Sequence, residues 1–179
     1  MILTGSQIEQ AVKRRDIIID PFNPTQLGPN SYDLRLAKHV AVYEDRILDA
    51  AVEPAIKRFD MDHNGLLLEP GKLYLMCTLE TTGGDLYVPG IEGRSSVGRL
   101  GISVHATAGF GDIGFHGTWT LEVSCIQPVK IYAGMRICQV YFTKCVPVAQ
   151  EDRLYRGKYY GQGLPRASGI WKEKEEWLQ

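Results

Sequence analysis

The sequence predicts a mainly β domain, a β-sandwich or distorted barrel, with one short N-terminal helix. Three observations predict it. Apolar stretches of strand length recur along the chain, and turn residues separate them, with 19 Gly and 9 Pro in 179 residues. Helical periodicity appears only near the start, so a parallel arrangement with helices between strands is excluded.

Taken in chain order, Ser6 precedes Glu9 at capping-box spacing, and Ile8, Ala11 and Val12 share one face, so "SQIEQAVKRR" reads as a capped helix. The next stretch, "DIIIDPFNPTQLGPNSYDLRL", holds three prolines before Tyr32, Leu34 and Leu36 alternate with Asp33 and Arg35. Further strands are expected at "HVAVYE", "KLYLMCTLET", "LYVPGIEG", "GISVHATA", "GTWTLEVSCI" and "RICQVYFTKC". After Gln150 the pattern stops. This tail has four basic and two acidic residues by Arg166, three tyrosines and four glycines by Gly169, and orders only if something gives it a reason to fold.

The length suits a single domain over residues 1–179, with 150–179 as a C-terminal tail. A formal charge of −1 with 23% charged residues lacks the basic excess of a nucleic-acid binder, so any anionic partner is held locally. No apolar run reaches the roughly 18 residues of a membrane span, and "MILTGSQIEQ" lacks the layout of a leader, so a cytoplasmic protein without a membrane partner is expected. Cys77, Cys125, Cys138 and Cys145 form no CxxC pair, and three lie in strand-like apolar runs. They read as reduced, packed side chains.

Three places carry chemistry. On an alternating strand "GTWTLEVSC", Trp119, Leu121, Val123 and Cys125 face one way and Thr118, Thr120, Glu122 and Ser124 the other. Glu122 is then either a solvated charge or a working carboxylate on a hydroxyl-lined face. Asp112 lies in "AGFGDIGFHG", among four glycines, as a turn aspartate or as a contact to sugar or water. The stretch "EGRSSVGRLG" offers Arg94, Arg99, Ser95 and Ser96 as donors, with glycines that allow close backbone approach; it is an anion cradle or a charged turn. It matches neither a Walker loop nor the dinucleotide GxGxxG. Zinc deaminase chemistry needs H-x-E and P-C-x-x-C, and none of His39, His63, His105 and His116 precedes a Glu by two, so no zinc is expected.

Together with "GPNSYDLRL", "HATAGFGDIGFHGTWTLE", "RICQV" and "YRGKYYGQG", the cradle resembles the dCTP deaminase branch of the deoxyuridine triphosphatase superfamily, with the motifs in order over nearly the whole chain. The resemblance implies a distorted jelly-roll-like β-barrel, assembled as a homotrimer with sites between neighbours. It implies Glu122 as general base and acid at cytosine C4, with Ser95 and the Ala108 carbonyl orienting water and amine, and Arg99 holding Glu122. Phosphate and nucleotide contacts would come from Arg94, Ser95, Ser96 and Gln139, with Tyr155, Lys158 and Gln162 closing from the tail. Asp112 would meet the 3′-hydroxyl and position water. Mg²⁺ would ride on the triphosphate of dCTP or dUTP.

Thr107-Ala108-Gly109-Phe110 resembles the members that carry dCTP through to dUMP and pyrophosphate, rather than those with a bulky histidine after Thr-Ala. Gly111, Ile113 and Cys125 depart from the family pattern; they predict a more mobile loop and a base pocket open to 5-substituted cytosine. The competing readings are a deaminase that stops at dUTP, a dUTP pyrophosphatase alone, and a non-catalytic trimeric nucleotide-binding module. The resemblance also brings dTTP feedback into view. Desolvation should raise the Glu122 carboxyl and Arg99 should lower it, and the sequence leaves that balance open.

Overall fold

One strand organises the rest. β2 (Tyr32–Tyr43) runs through "YDLRLAKHVAVY" without interruption, joining two stretches expected as separate strands. Its first half pairs antiparallel with β12 (Arg136–Lys144), its second half with β3 (Ile56–Asp60), and β5 (Tyr74–Thr78) lies along the opposite edge. The register against β5 shifts between Leu36 and Val40, where Leu36 and Ala37 are both buried. A bulge of this kind lets one strand change direction and serve two partners.

The computed structural model describes residues 1–145 and 153–178. Residues 150–152 at the start of the expected tail, and Gln179 at its end, lie outside the described residues. Beyond β5 the main sheet continues through β10 (Thr120–Cys125) to β8 (Ile102–Ser103), and β7 (Tyr87–Gly93) lies outside β12. A three-stranded sheet joins β1 (Ile18–Asp20), β6 (Thr81–Gly83) and β9 (His116–Gly117), and β4 (Leu66–Leu68) pairs with β11 (Val129–Ile131). These sheets enclose one core in a barrel-like, jelly-roll-like arrangement. Tyr32, Leu34, Leu36, Met76, Leu121 and Ile137 are fully buried in it, and each large aliphatic side chain contributes about 1.5–3 kcal/mol by leaving water.

Helix α1 (Gly5–Arg14) begins two residues earlier than expected. Thr4 is the cap, its N–H donating to Gln7 Oε1 at 3.0 Å, while Glu9 pairs with Lys13. Both spacings suit a cap; tertiary packing decides. Gly5 donates to the Pro29 carbonyl at 2.8 Å and lies so close that a Cβ would sit 2.2 Å from Gly28 O. "GISVHATA" yields only β8, because beyond buried Val104 the backbone pairing with β10 ends and the Ala106 N–H donates to the Glu122 side chain instead.

Cys77, Cys125 and Cys138 are buried and unpaired, as expected, and burial pushes the Cys77 thiol up to about 11. The most deeply placed charge is Glu80, with no exposed surface. It accepts from Gln26 Nε2 at 3.0 Å, Arg35 N–H at 2.8 Å and Arg35 Nε at 2.7 Å, so both carboxylate oxygens meet donors on or beside β2. The described tail has its reason to fold in backbone partners: Tyr155 N–H donates to Ile113 O, Gly161 N–H to His116 O, and Thr118 N–H to Gln162 O.

Truncating Glu80 leaves a half-buried guanidinium and a buried amide without their partner. Glu80→Ala is expected to lower the unfolding free energy by about 3–5 kcal/mol, read from the midpoint of urea denaturation.

Candidate active site

A cleft of about 350 Å³ opens between β10, the loop 108–112 and the folded tail. Its size is within the range of small-molecule sites. On β10 the expected alternation holds for Trp119, Leu121, Val123 and Cys125, which are buried, while Thr120, Glu122 and Ser124 face outward. Thr118 departs from it. Its residue is buried because Gln162 pairs with its backbone in both directions, each bond 2.8 Å long.

Glu122 lies half-buried in the cleft wall, and the Ala106 N–H donates to its Oε2 at 3.4 Å. Loss of hydration pushes the carboxyl above the usual range; the Ala106 N–H and the positive form of His105 pull back less strongly. Arg99 has no part in that balance within one chain: it is exposed at the end of α2 (Ser95–Gly98). Desolvation therefore wins.

Ala108, Asp112, Tyr155 and Gln162 share the cleft with Glu122. Gln162 is only 5% exposed, and its buried Oε1 has no hydrogen-bond partner among the described residues. A buried acceptor left open in a cleft wall is suited to an N–H or O–H from a ligand. Asp112 is exposed at the start of a turn, its carbonyl accepting from the Phe115 N–H at 3.2 Å. Tyr155 packs near Phe115 and accepts from the Tyr159 N–H at 3.1 Å.

The loop bearing these groups is pinned rather than loosened by Gly111. Gly111 N–H donates to Pro89 O and Ile91 N–H to Gly109 O, so the loop runs against β7. A Cβ on Gly111 would lie 2.3 Å from the Trp119 ring, so the missing side chain is space already filled by indole.

The remaining expected residues do not line this cleft. Ser95, Ser96 and Arg99 are exposed on or beside α2, anchored by buried Val97. Arg94 donates through Nε to Asp33 at 3.0 Å, and Gln139 joins the same surface by donating to Gly93 O and accepting from Ser31 Oγ. Lys158 pairs with Glu173. Sequence reading missed Arg166, a cleft residue whose N–H donates to Thr120 Oγ1 at 3.2 Å; the aperiodic tail around it carried no signal. It also missed the partners Asp33 and Arg136, although both stood within quoted motifs.

The fold and these two surfaces define a jelly-roll-like β protein with a small-ligand cleft and a separate arginine–serine surface. The chain belongs to the dCTP deaminase-like family, whose model matches residues 2–145. It is 47% identical over 175 residues to the dCTP deaminase, dUMP-forming, of Hathewaya histolytica, covering 98% of this chain and 100% of that one. The protein of the same name from Clostridium acetobutylicum is 51% identical over 142 residues, covering 79% and 82%. Among solved structures, the 2′-deoxycytidine 5′-triphosphate deaminase from Agrobacterium tumefaciens matches with a TM-score of 0.63 at 21% identity, over 79% of this chain and 47% of that one. That likeness shows the shared fold.

A carboxyl raised in the folded chain means that ionising it costs folding free energy once the pH exceeds the ordinary Glu value of about 4.3. Glu122→Gln removes this cost, so the variant is expected to be more stable than the parent at pH 7. The difference should close as the pH falls to about 4. Urea midpoints at the two pH values check it.

Proposed function

We propose that the protein is a hydrolase that deaminates dCTP at cytosine C4 and carries the product on to dUMP and pyrophosphate. One observation carries the reading: a desolvated Glu122, with its carboxyl raised, faces a nucleoside-sized cleft beside Asp112 and the open acceptor of Gln162. A carboxyl raised toward neutrality is better matched to taking and returning protons. The relatives named dCTP deaminase, dUMP-forming, support the same substrate and product.

In this mechanism Glu122 takes a proton from a water held by the Ala108 carbonyl and Ser95 Oγ. The hydroxide adds to C4 as Glu122 returns the proton to N3. A second transfer through Glu122, from the new hydroxyl to the amine, releases ammonia and leaves the C4 carbonyl of dUTP. Another water, oriented by Asp112, then attacks the α-phosphorus, and pyrophosphate departs. Asp112 also holds the 3′-hydroxyl, while Arg94, Ser95, Ser96 and Gln139 bind phosphates and Tyr155, Lys158 and Gln162 close the tail over the nucleotide.

Because Ser95, Arg94 and Arg99 do not line the cleft of their own chain, the reading completes each site between copies of a homotrimer, where a neighbour's Arg99 would steady Glu122. The donor set fits Mg²⁺ carried by the substrate: Arg94, Ser95 and Ser96 offer N–H and O–H groups to phosphate oxygens and do not compete for the ion. Mg²⁺ would neutralise charge that develops on the leaving pyrophosphate. Gly109 supports the second step, since a Cβ there would lie 2.6 Å from Ile91 O and 2.8 Å from His105 Nε2. The bulky histidine of the deaminate-only pattern has no room. The same reading takes the enzyme as cytoplasmic, open to dTTP as a feedback ligand in the base pocket, and tolerant of 5-substituted cytosine.

The test is product analysis with dCTP and Mg²⁺. Ammonia, dUMP and pyrophosphate in equal amounts are expected. Accumulating dUTP without pyrophosphate overturns the second step, and dUTP cleavage without ammonia from dCTP overturns deamination. Glu122→Gln should slow ammonia release by at least about 10²-fold while dCTP affinity stays within about tenfold; a nucleotide-binding module would show no ammonia release to lose.

A further inference from the structure

Two of the motifs, "GPNSYDLRL" and "RICQV", contain charged residues that the mechanism above leaves without a task. On β12 the register slips against β2: Arg136 pairs with Arg35 and Cys138 with Leu34, so two steps on one strand match one on the other. The extra residue, Ile137, is fully buried, and so is Cys138. Arg136 and Gln139 are thereby turned out on the same side, and both remain partly exposed. Bulges re-aim side chains in this way, often beside binding sites. Asp33, directly opposite Gln139 on β2, stands between them and Arg94.

The Asp33 carboxylate is shared. Oδ1 accepts from Arg94 Nε at 3.0 Å and Oδ2 from Arg136 Nη1 at 3.4 Å, while Arg94 Nη1 donates to the Arg136 carbonyl at 3.2 Å. Arg136 Nη2 also donates to Thr25 Oγ1 at 3.4 Å. Asp33 is itself fixed, because its carbonyl accepts from Gln26, which is clamped to buried Glu80. Its side chain is 16% exposed, against 32% and 38% for the two arginines. The carboxylate is thus shielded, and the cations face outward. Among the described residues each guanidinium keeps N–H groups that no acceptor uses, and Arg94 directly precedes Ser95 and Ser96, which are exposed. The neighbouring carboxylate on β7, Glu92, lies 4.0 Å from His105 Nε2.

We propose that Asp33 is a positioning residue that holds Arg94 and Arg136 side by side as a seat for the substrate's polyphosphate, with Arg136 a phosphate contact in its own right. Two guanidinium planes fixed by one carboxylate present forked donors at set angles, which suits neighbouring phosphate oxygens better than two free side chains would. The proposal rests on the nucleotide-hydrolase reading and assigns the polyphosphate end of that site.

The test measures kcat and KM for dCTP, and calorimetric binding of inorganic tripolyphosphate, for the full chain, D33N and R136Q. Removing a negative charge would by itself tighten anion binding, so weakened binding in D33N is the signature of lost orientation. D33N is expected to raise KM and weaken tripolyphosphate binding by about tenfold with kcat within about threefold, and R136Q to do so by about three- to tenfold. Their combined effect should be less than the product of the two, because they act through one seat. If either variant binds tripolyphosphate within about twofold of the parent, or D33N binds it more tightly, the proposal is overturned. Should D33N not fold, R136Q, whose side chain is partly exposed, decides it by the same criterion. Failure of the functional reading looks different: a parent protein that binds tripolyphosphate but frees no ammonia from dCTP would lose its activity assignment and keep its seat.

Discussion

Both functional surfaces hang on the corner between β5 and β6, where Glu80 is held out of water. Toward one side, its carboxylate binds Arg35 and Gln26, and Gln26 fixes the backbone of Asp33 beneath Arg94. Toward the other, the Glu80 carbonyl accepts from Thr78 Oγ1, which in turn accepts from the Trp119 N–H at the entrance to β10. An ionised carboxylate costs several kcal/mol to desolvate unless its partners are held in good geometry. That requirement makes the corner intolerant of displacement, and so it fixes where the strand bearing Glu122 and the strand bearing Asp33 can lie. The activity is proposed to depend on groups from both.

Two carboxylates, Glu80 at the corner between β5 and β6 and Glu122 on β10, have opposite environments. Glu80 accepts three charge-assisted hydrogen bonds, with a donor on each carboxylate oxygen, and serves as a strut. Glu122 is desolvated with one long backbone hydrogen bond, and its carboxyl rises. Burial without adequate partners is a poor arrangement for stability and a good one for proton transfer. The same contrast separates the two amides: Gln26 spends its NH2 group on two protein acceptors, while Gln162 keeps an acceptor open in the cleft.

The outward face of Glu122 was legible because it follows from period-two alternation over six or more residues, the β class because apolar stretches of strand length recur between turn residues, and the buried thiols because they lie in such stretches. Three-residue strands such as β1, β4 and β11 were not, since so short a run carries no period and its pairing is decided by distant partners. The helix start was misplaced because Thr4 and Ser6 offer equivalent local caps and only the approach of Gly5 to Gly28 distinguishes them. Ala108, Tyr155 and Gln162 in the cleft were read as site residues through family resemblance alone. The division of the site residues between two surfaces was not legible, because a motif records which residues belong together chemically and not which face of the chain each lies on. Arg166 was silent for a further reason: its N–H is held by the Thr120 hydroxyl, on a strand 46 residues earlier in the chain.

The contact between Gly111 and Trp119 reaches beyond loop geometry. Since the indole fills the volume that a side chain at position 111 would need, and its Nε1–H is tied to Thr82 at 2.8 Å, the ring cannot simply swing aside. A branched residue can enter at position 111 only if the ring at 119 gives way and Pro89 does too, since its Cγ and its carbonyl oxygen would each lie 2.9 Å from the new Cβ. Positions 89, 111 and 119 therefore form a single heritable unit, and a chimera that exchanges the glycine loop alone with a relative would inherit a collision in place of a pocket.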